Sequence, residues 1–183
     1  TQGIGSMSAN AIEKSLPNLK AAVEAILEQH EGEKGIIHCH SYKVANFIKQ
    51  YVHDKRLLFH NAKNRERVLR KHMKIKKPSV LVSPSMQEGV DLKDNASRFQ
   101  VICKLPFPYL GDMLVKKKMK KWDWWYSFQT VRVIIQSIGR SIRHQKDYAK
   151  TYILDSCWEN FYRDNYKLFP ETFVKSYSVY KKN

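Results

Sequence analysis

The stretch Gln136-Ser137-Ile138-Gly139-Arg140-Ser141-Ile142-Arg143 brings one amide and two guanidinium groups close together in the chain. Wound as a helix at ~100° per residue, Gln136, Arg140 and Arg143 share one narrow face, while Val131, Ile134, Ile138 and Ile142 share the opposite one. Guanidinium groups stay charged and meet phosphate oxygens in a planar fork. Gly139 removes a side chain beside Arg140, where a ligand or another backbone could come close. The pattern suits a polyphosphate held against the polar face while the apolar face packs on a core.

A second group, Ser83-Pro84-Ser85-Met86-Gln87-Glu88-Gly89-Val90-Asp91-Leu92, comes after an apolar run. A strand ending in a small polar loop exposes hydroxyl and backbone N–H groups to an anion. Asp91 can accept from a ribose hydroxyl, with Glu88 and Gly89 beside it. A third group joins Ser41 and Tyr42, at a strand-to-helix junction, with the basic stretch that contains Lys63, Arg65, Arg67, Arg70, Lys71 and Lys74. Many of those charges suit a solvated helix face; together they also suit a groove that tracks a phosphate backbone. The fourth is Lys116-Lys117-Lys118-Met119-Lys120-Lys121-Trp122-Asp123-Trp124-Trp125-Tyr126, where ammonium groups adjoin rings on which bases stack. Tryptophans so close together also suit a core. The chain contains no Gly-x-x-x-x-Gly-Lys-Ser/Thr and no acidic box suited to magnesium after an apolar strand. It can donate arginines to a triphosphate but cannot cradle one.

The elements that position these groups are set by periodicity. Ser15 as N-cap and Pro17 in the first turn open a helix that runs to about Gln29 through Leu16, Leu19, Val23, Ile26 and Leu27. Short apolar runs at Gly35–His40, Leu57–Phe59, Ser79–Val82, Phe99–Leu105 and Thr151–Leu154 read as strands. Helices are expected after Ser41, over Asn64–Lys74, through Gln136–Arg143 and from Trp158 to Leu168. Alternating strands and helices, with strands lacking a polar face, predict an α/β domain with a mainly parallel sheet covered on both faces. Ligands of such sheets gather at the carboxyl ends of strands, where Ser41, Ser83 and Asp155 stand. Residues 1–11 read as a tail or linker, 12–172 as the domain and 173–183 as a basic tail.

The formal net charge of +16 favours a polyanionic partner. Cys39, Cys103 and Cys157 are dispersed and form no Cys-x-x-Cys pair, which suits buried thiols in a reducing, intracellular compartment. His38 and His40 flank Cys39, but strand alternation turns the two His away from the Cys, so no metal site is expected. No apolar run of ~18 residues is present, so no membrane span is expected. The chain opens on Thr1 instead of Met, which suits a piece of a longer protein.

These motifs resemble, in order, the second motor domain of superfamily-2 helicases of the XPD/DinG branch. Gly35–Tyr42 resembles motif IV, Ser83–Leu92 motif V and Gln136–Arg143 motif VI. Leu105-Pro106-Phe107-Pro108, Gly111-Asp112 and the Lys116 run resemble the segment joining motifs V and VI, and Asp147–Asp155 fits the domain's ending. The resemblance implies a RecA-like three-layer lobe. It also implies that Arg140 and Arg143 reach the γ-phosphate of ATP and that Gln136 orders that contact. Gly89, Asp91, Glu88 and Gly139 would lie on the nucleotide side. Ser41, Tyr42, Ser83, Ser85, Lys63 and Arg65 would face single-stranded DNA. ATP and Mg2+ would be held mainly by a first RecA-like lobe of the same polypeptide, where any iron–sulfur cluster would also sit. The whole would be a monomeric ATP-dependent DNA helicase, and this chain alone would be inactive. Two alternatives stay open: a non-catalytic nucleic-acid-binding RecA-like module, and a double-strand DNA translocase that does not unwind.

Overall fold

A computed structural model describes residues 4–84, 92, 94–142 and 147–179. Strands β1 (Gly35–His38), β2 (Leu57–Phe59), β3 (Val80–Ser83), β4 (Phe99–Ile102) and β5 (Lys150–Ile153) form one sheet in the order β2-β3-β1-β4-β5. Every neighbouring pair is parallel. Helices α1 (Ile12–Gln29), α2 (Tyr42–Tyr51), α3 (Arg65–Lys74), α4 (Met113–Lys121), α5 (Trp125–Ile138), α6 (Cys157–Asn165) and α7 (Glu171–Ser176) cover it or border it, with short 3-10 turns at Asp94–Ala96 and Tyr166–Leu168.

The period-two alternation of the strands divides the core. Ile37, Cys39, Val80, Val82, Phe99, Val101 and Cys103 meet Leu16, Leu19, Val23, Val44 and Ile48 of α1 and α2. On the other face, Ile36 and Leu81 meet Leu92, Val68 and Leu69, while Ile102 and Ile153 meet Val131 and Ile134 of α5 and Trp158 of α6. This is the parallel α/β sheet covered on both faces that the alternation of elements predicts, in the three-layer form that the resemblance implies.

Helix α1 begins at Ile12, earlier than Ser15 suggests, and carries Pro17 inside it. The reason is tertiary. Ser15 caps nothing: its hydroxyl donates to the Ser6 carbonyl at 2.8 Å. Met7 is wholly buried and Ile12 nearly so, which draws residues 4–11 onto the core instead of leaving them as a loose tail. At the other end of α1, the Arg56 guanidinium donates to the carbonyls of Leu27, His30 and Glu31 at 2.6–2.9 Å and pairs with Asp54. Carbonyls that a helix end leaves orphaned are thereby satisfied.

The chain is closed by one carboxylate. Asp155, just beyond β5, is almost fully buried. It accepts from the backbone N–H of Met7 at 3.3 Å, Leu105 at 3.0 Å and Cys157 at 3.1 Å. It therefore joins the amino-terminal segment, the exit of β4 and the start of α6, and serves the fold instead of a ligand. The carboxy-terminal packing extends past residue 172: Phe173 and Tyr177 lie against Trp158 and Tyr162. Replacing Asp155 by Ala strands these buried N–H groups, each costing ~1–3 kcal/mol. Urea unfolding of the variant is expected to show a loss of about 3 kcal/mol or more; a loss under about 1 kcal/mol would mean that water replaces the carboxylate without penalty.

Candidate nucleotide and nucleic-acid site

Helix α5 supplies the first part of the site, and it ends sooner than its sequence pattern implies. Val131 and Ile134 are buried and Ile138 is half-buried, as the apolar stripe requires, but the helix stops at Ile138, and Ile142 is 38% exposed. Arg140 therefore lies in the turn beyond the helix and not on a continuous face with Gln136, which is exposed on the last helical turn. Two causes are visible. Gly139 is a poor helix former. Beyond that, the carbonyl of Ile138, which a longer helix would offer to Ile142, instead accepts from Gln100 Nε2 at 3.1 Å and from Ser141 N–H at 3.3 Å.

Gln100 is completely buried in the middle of β4. A primary amide there is costly unless hydrogen-bonded, and its bond to Ile138 pins the end of α5 to the centre of the sheet. Two further contacts hold the turn. Leu92 N–H donates to the Arg140 carbonyl at 3.2 Å, and the Ser141 hydroxyl donates to Ser97 Oγ at 2.9 Å. Ser97 in turn donates to the Phe99 carbonyl. Arg98 grips the flanking chain, donating to Asn95 Oδ1, to Asp147 at 2.7 Å and to the Tyr148 carbonyl. Arg140, half-buried, thus sits in a turn fixed to the start of β4. A Cβ on Gly139 would come within 3.3 Å of the Ile135 carbonyl and otherwise meet only the Gln136 carbonyl at 4.0 Å among the described residues, so its missing side chain leaves open space outward.

Beneath this turn lies His38, the last residue of β1, 2% exposed. Neither of its ring nitrogens, nor Gln100 Oε1, makes a hydrogen bond among the described residues. Burial lowers the His38 pKa to about 3; the adjacent Gln100 amide opposes this, and the charges of Arg140 and His40 lower it further. His40 comes two residues later at φ 53°, in the left-handed region that few non-glycine residues adopt. Its pKa falls to about 4 through burial and the charge of Lys104, opposed by a contact with the Pro106 backbone. The sharp turn at His40 sends the chain into α2.

At the ends of the strands, Ser41 is the N-cap residue of α2, yet its side chain makes no capping hydrogen bond, and Tyr42 is 59% exposed. The first N–H groups of α2 and the Ser41 hydroxyl are thereby left on the rim of the sheet, an anion-binding arrangement. Ser83 differs from expectation: it ends β3 but is only 4% exposed, and its carbonyl accepts from Cys39 N–H at 2.8 Å. Its place in the ladder, paired with His38, draws it inward. Lys63 is exposed and Arg65, the first residue of α3, is half-buried. Ser85, Glu88, Gly89, Asp91 and Arg143 lie outside the described residues. The structure therefore places Gln136, Gly139 and Arg140 at one turn, and Ser41 and Tyr42 at the carboxyl rim. Gln100 and His38 are the residues that sequence reasoning did not single out as parts of this site. The signal was present, since an amide inside the apolar run Phe99-Gln100-Val101-Ile102 is the informative exception in a buried strand.

The helicase C-terminal domain family matches residues 23–175, and the chain belongs to that family. It is 35% identical over 88 residues to a regulator of telomere elongation helicase 1 homolog of Aedes aegypti, covering 41% of this chain and 9% of that protein. It is 30% identical over 129 residues to the ATP-dependent DNA helicase CHL1 of Vanderwaltozyma polyspora, covering 57% of this chain and 16% of that protein. The chain thus matches only a small part of the length of these relatives. Its fold is similar to that of S. tokodaii Xpd4, with a TM-score of 0.66 at 22% identity over 91% of this chain and 35% of that one. It is also similar to the domain 2 of the DEAD-box helicase Mss116p bound to an RNA duplex, with a TM-score of 0.54 at 16% identity over 81% of this chain and 54% of that one. Family, relatives and fold agree with the resemblance to the second motor domain of XPD-type superfamily-2 helicases.

The buried histidine makes a pH prediction. Its folded pKa lies near 3 against an ordinary value of 6.5, so between those values the unfolded chain binds a proton that the folded chain refuses. The His38 contribution is full above pH 6.5 and is lost as the pH falls, by at most about 1.4 kcal/mol per pH unit. His40 acts in the same direction. Urea unfolding of His38→Leu between about pH 7 and pH 5 is expected to show a shallower decline than the parent; equal slopes would place the ring in contact with water.

Proposed function

We propose that this chain is the second motor lobe of an ATP-dependent DNA helicase. It supplies Arg140 and Arg143 to ATP bound by a first lobe and contributes part of a single-strand track. The observation that carries the reading is the turn at Gly139–Ser141. It is held by Gln100, Leu92 and Ser97, so a cation is kept at a fixed position without being part of a regular helix. A guanidinium preorganised in this way stabilises the charge that develops on a transferring phosphoryl group. Gln136, exposed on the preceding helical turn, lies close enough in sequence to order that contact.

ATP is the substrate, and a first lobe would hold it together with Mg2+, since the sequence has no phosphate-cradling glycine loop of its own. The segment from Ser83 to Leu92 joins the carboxyl rim to the arginine turn: Ser83 carries the Cys39 N–H at one end, and Leu92 binds the Arg140 carbonyl at the other. Residues of that segment, Glu88, Gly89 and Asp91, are proposed on the nucleotide side, and Ser85 on the strand side. Ser41, Tyr42, Lys63 and Arg65 are proposed to meet phosphates of single-stranded DNA, with the +16 net charge behind them.

In the full polypeptide, Arg140→Ala is expected to lower ATP turnover by about 10³-fold or more, while affinity for single-stranded DNA stays within about 2-fold. Parallel measurement of both decides the matter, because equal loss of turnover and binding would make the turn a purely structural element. This chain by itself is expected to hydrolyse no ATP in a phosphate-release assay, and measurable turnover would overturn the division of labour between lobes.

A further inference from the structure

Helix α4 is not explained by the needs of the fold. None of its residues is fully buried, and it carries five lysines and no acidic residue. Val115 and Met119 are half-covered, and Lys117, Lys120 and Lys121 point the other way. The acids at its two ends are occupied by backbone: Asp112 accepts from Leu114 N–H at 2.7 Å and Asp123 from Trp124 N–H at 2.8 Å. Rings adjoin the ammonium groups. Lys121 Nζ lies 4.6 Å from the centre of the Trp122 ring and Lys118 Nζ 5.0 Å from that of Trp125. Trp124 is 52% exposed and Tyr109, in the loop that leads to α4, 79% exposed.

We propose that the α4–α5 corner is a binding surface for single-stranded nucleic acid, with Lys117, Lys120 and Lys121 on phosphates and Trp122 and Trp124 as stacking platforms. The proposal rests on the reading of the lobe given above and extends its track beyond the strand ends. Three observations favour this occupant over a protein. Protein interfaces are depleted in lysine, whereas this helix is lysine-rich without a single arginine. Alternation of ammonium groups and exposed indoles is the chemistry of sequence-tolerant single-strand binding. The surface also continues the carboxyl rim: β4 exits past Lys104 and Pro106, against which His40 packs, one residue from Ser41. From there Phe107 stacks on Tyr126 and the Tyr126 hydroxyl donates to the Pro108 carbonyl, which fixes the loop to α5.

The test uses this chain, a fluorescein-labelled oligothymidylate and an abasic oligomer of the same length. Lys117→Glu/Lys120→Glu/Lys121→Glu is expected to weaken oligothymidylate binding by about 10-fold or more and to flatten the log-affinity against log-salt slope by about 2. Trp122→Ala/Trp124→Ala is expected to lose about 10-fold for oligothymidylate and little for the abasic strand, and to abolish the quenching of tryptophan emission on titration. Because α4 buries no residue and Trp122 and Trp124 are exposed, these variants should keep the parent's circular dichroism, and the Lys→Gln triple variant should show the same direction with a smaller loss. If both sets bind like the parent while Ser41→Ala/Tyr42→Ala binds worse, this surface carries no strand and serves another partner, yet the track at the strand ends stands. If lysine variants weaken binding without any loss of quenching in the tryptophan variant, the effect is general charge and the stacking surface is overturned. If the parent itself binds neither oligomer, the nucleic-acid half of the function falls with it.

Discussion

One hydrogen bond decides where helix α5 ends. Gln100 sits in the sheet interior where an apolar side chain would pack as well, and its amide reaches the carbonyl that helix α5 needs in order to continue. A buried amide without a partner is costly, and so is an orphaned carbonyl. Each group satisfies the other, and the helix stops there. The stop converts a row of residues on a helical wheel into a turn, and that turn carries Arg140. The contacts of Leu92 and Ser97 then hold the turn, and Arg98 holds the chain at Asp147 and Tyr148.

Around that bond the molecule is organised as cross-braces between segments distant in sequence. Arg56 closes α1, Asp155 joins three chain segments, and Arg98 links the approach to β4 with the approach to β5. Each is a charged group with little exposure; Arg56 and Asp155 bind mostly backbone atoms, and Arg98 binds the Asn95 and Asp147 side chains and the Tyr148 carbonyl. Such groups add little net stability when paired and remove much when a partner is lost. They specify which loop meets which.

The strands and most helices were legible because buried parallel strands are short unbroken apolar runs and α/β alternation leaves few arrangements. The motif order, from Gly35 to Asp155, carried the family. What the sequence hid was tertiary. Ser15 has the chemistry of a cap, but Ser6 takes its hydroxyl. Ile142 continues an apolar stripe, but the helix has already ended. Ser83 stands at a strand end, yet its ladder position turns it inward. In each case a local preference is overridden by a tertiary contact, with a residue far along the chain for Ile138 and Ser83, which no window of neighbouring residues contains. His38 has Cys39 and His40 beside it in sequence, a grouping that draws attention to itself; what the sequence hides is that the ring is buried with the charge of Arg140 near it.

The strands are only four residues long or fewer, so the sheet is roughly 10–13 Å from one rim to the other at ~3.3 Å per residue. That is near the Debye length of physiological saline, about 8 Å, but the path runs through protein instead of electrolyte. Counter-ions cannot enter to mute a field along it. The charge of Arg140 is accordingly felt at His38, the residue that ends β1, where it adds to burial in keeping the ring neutral.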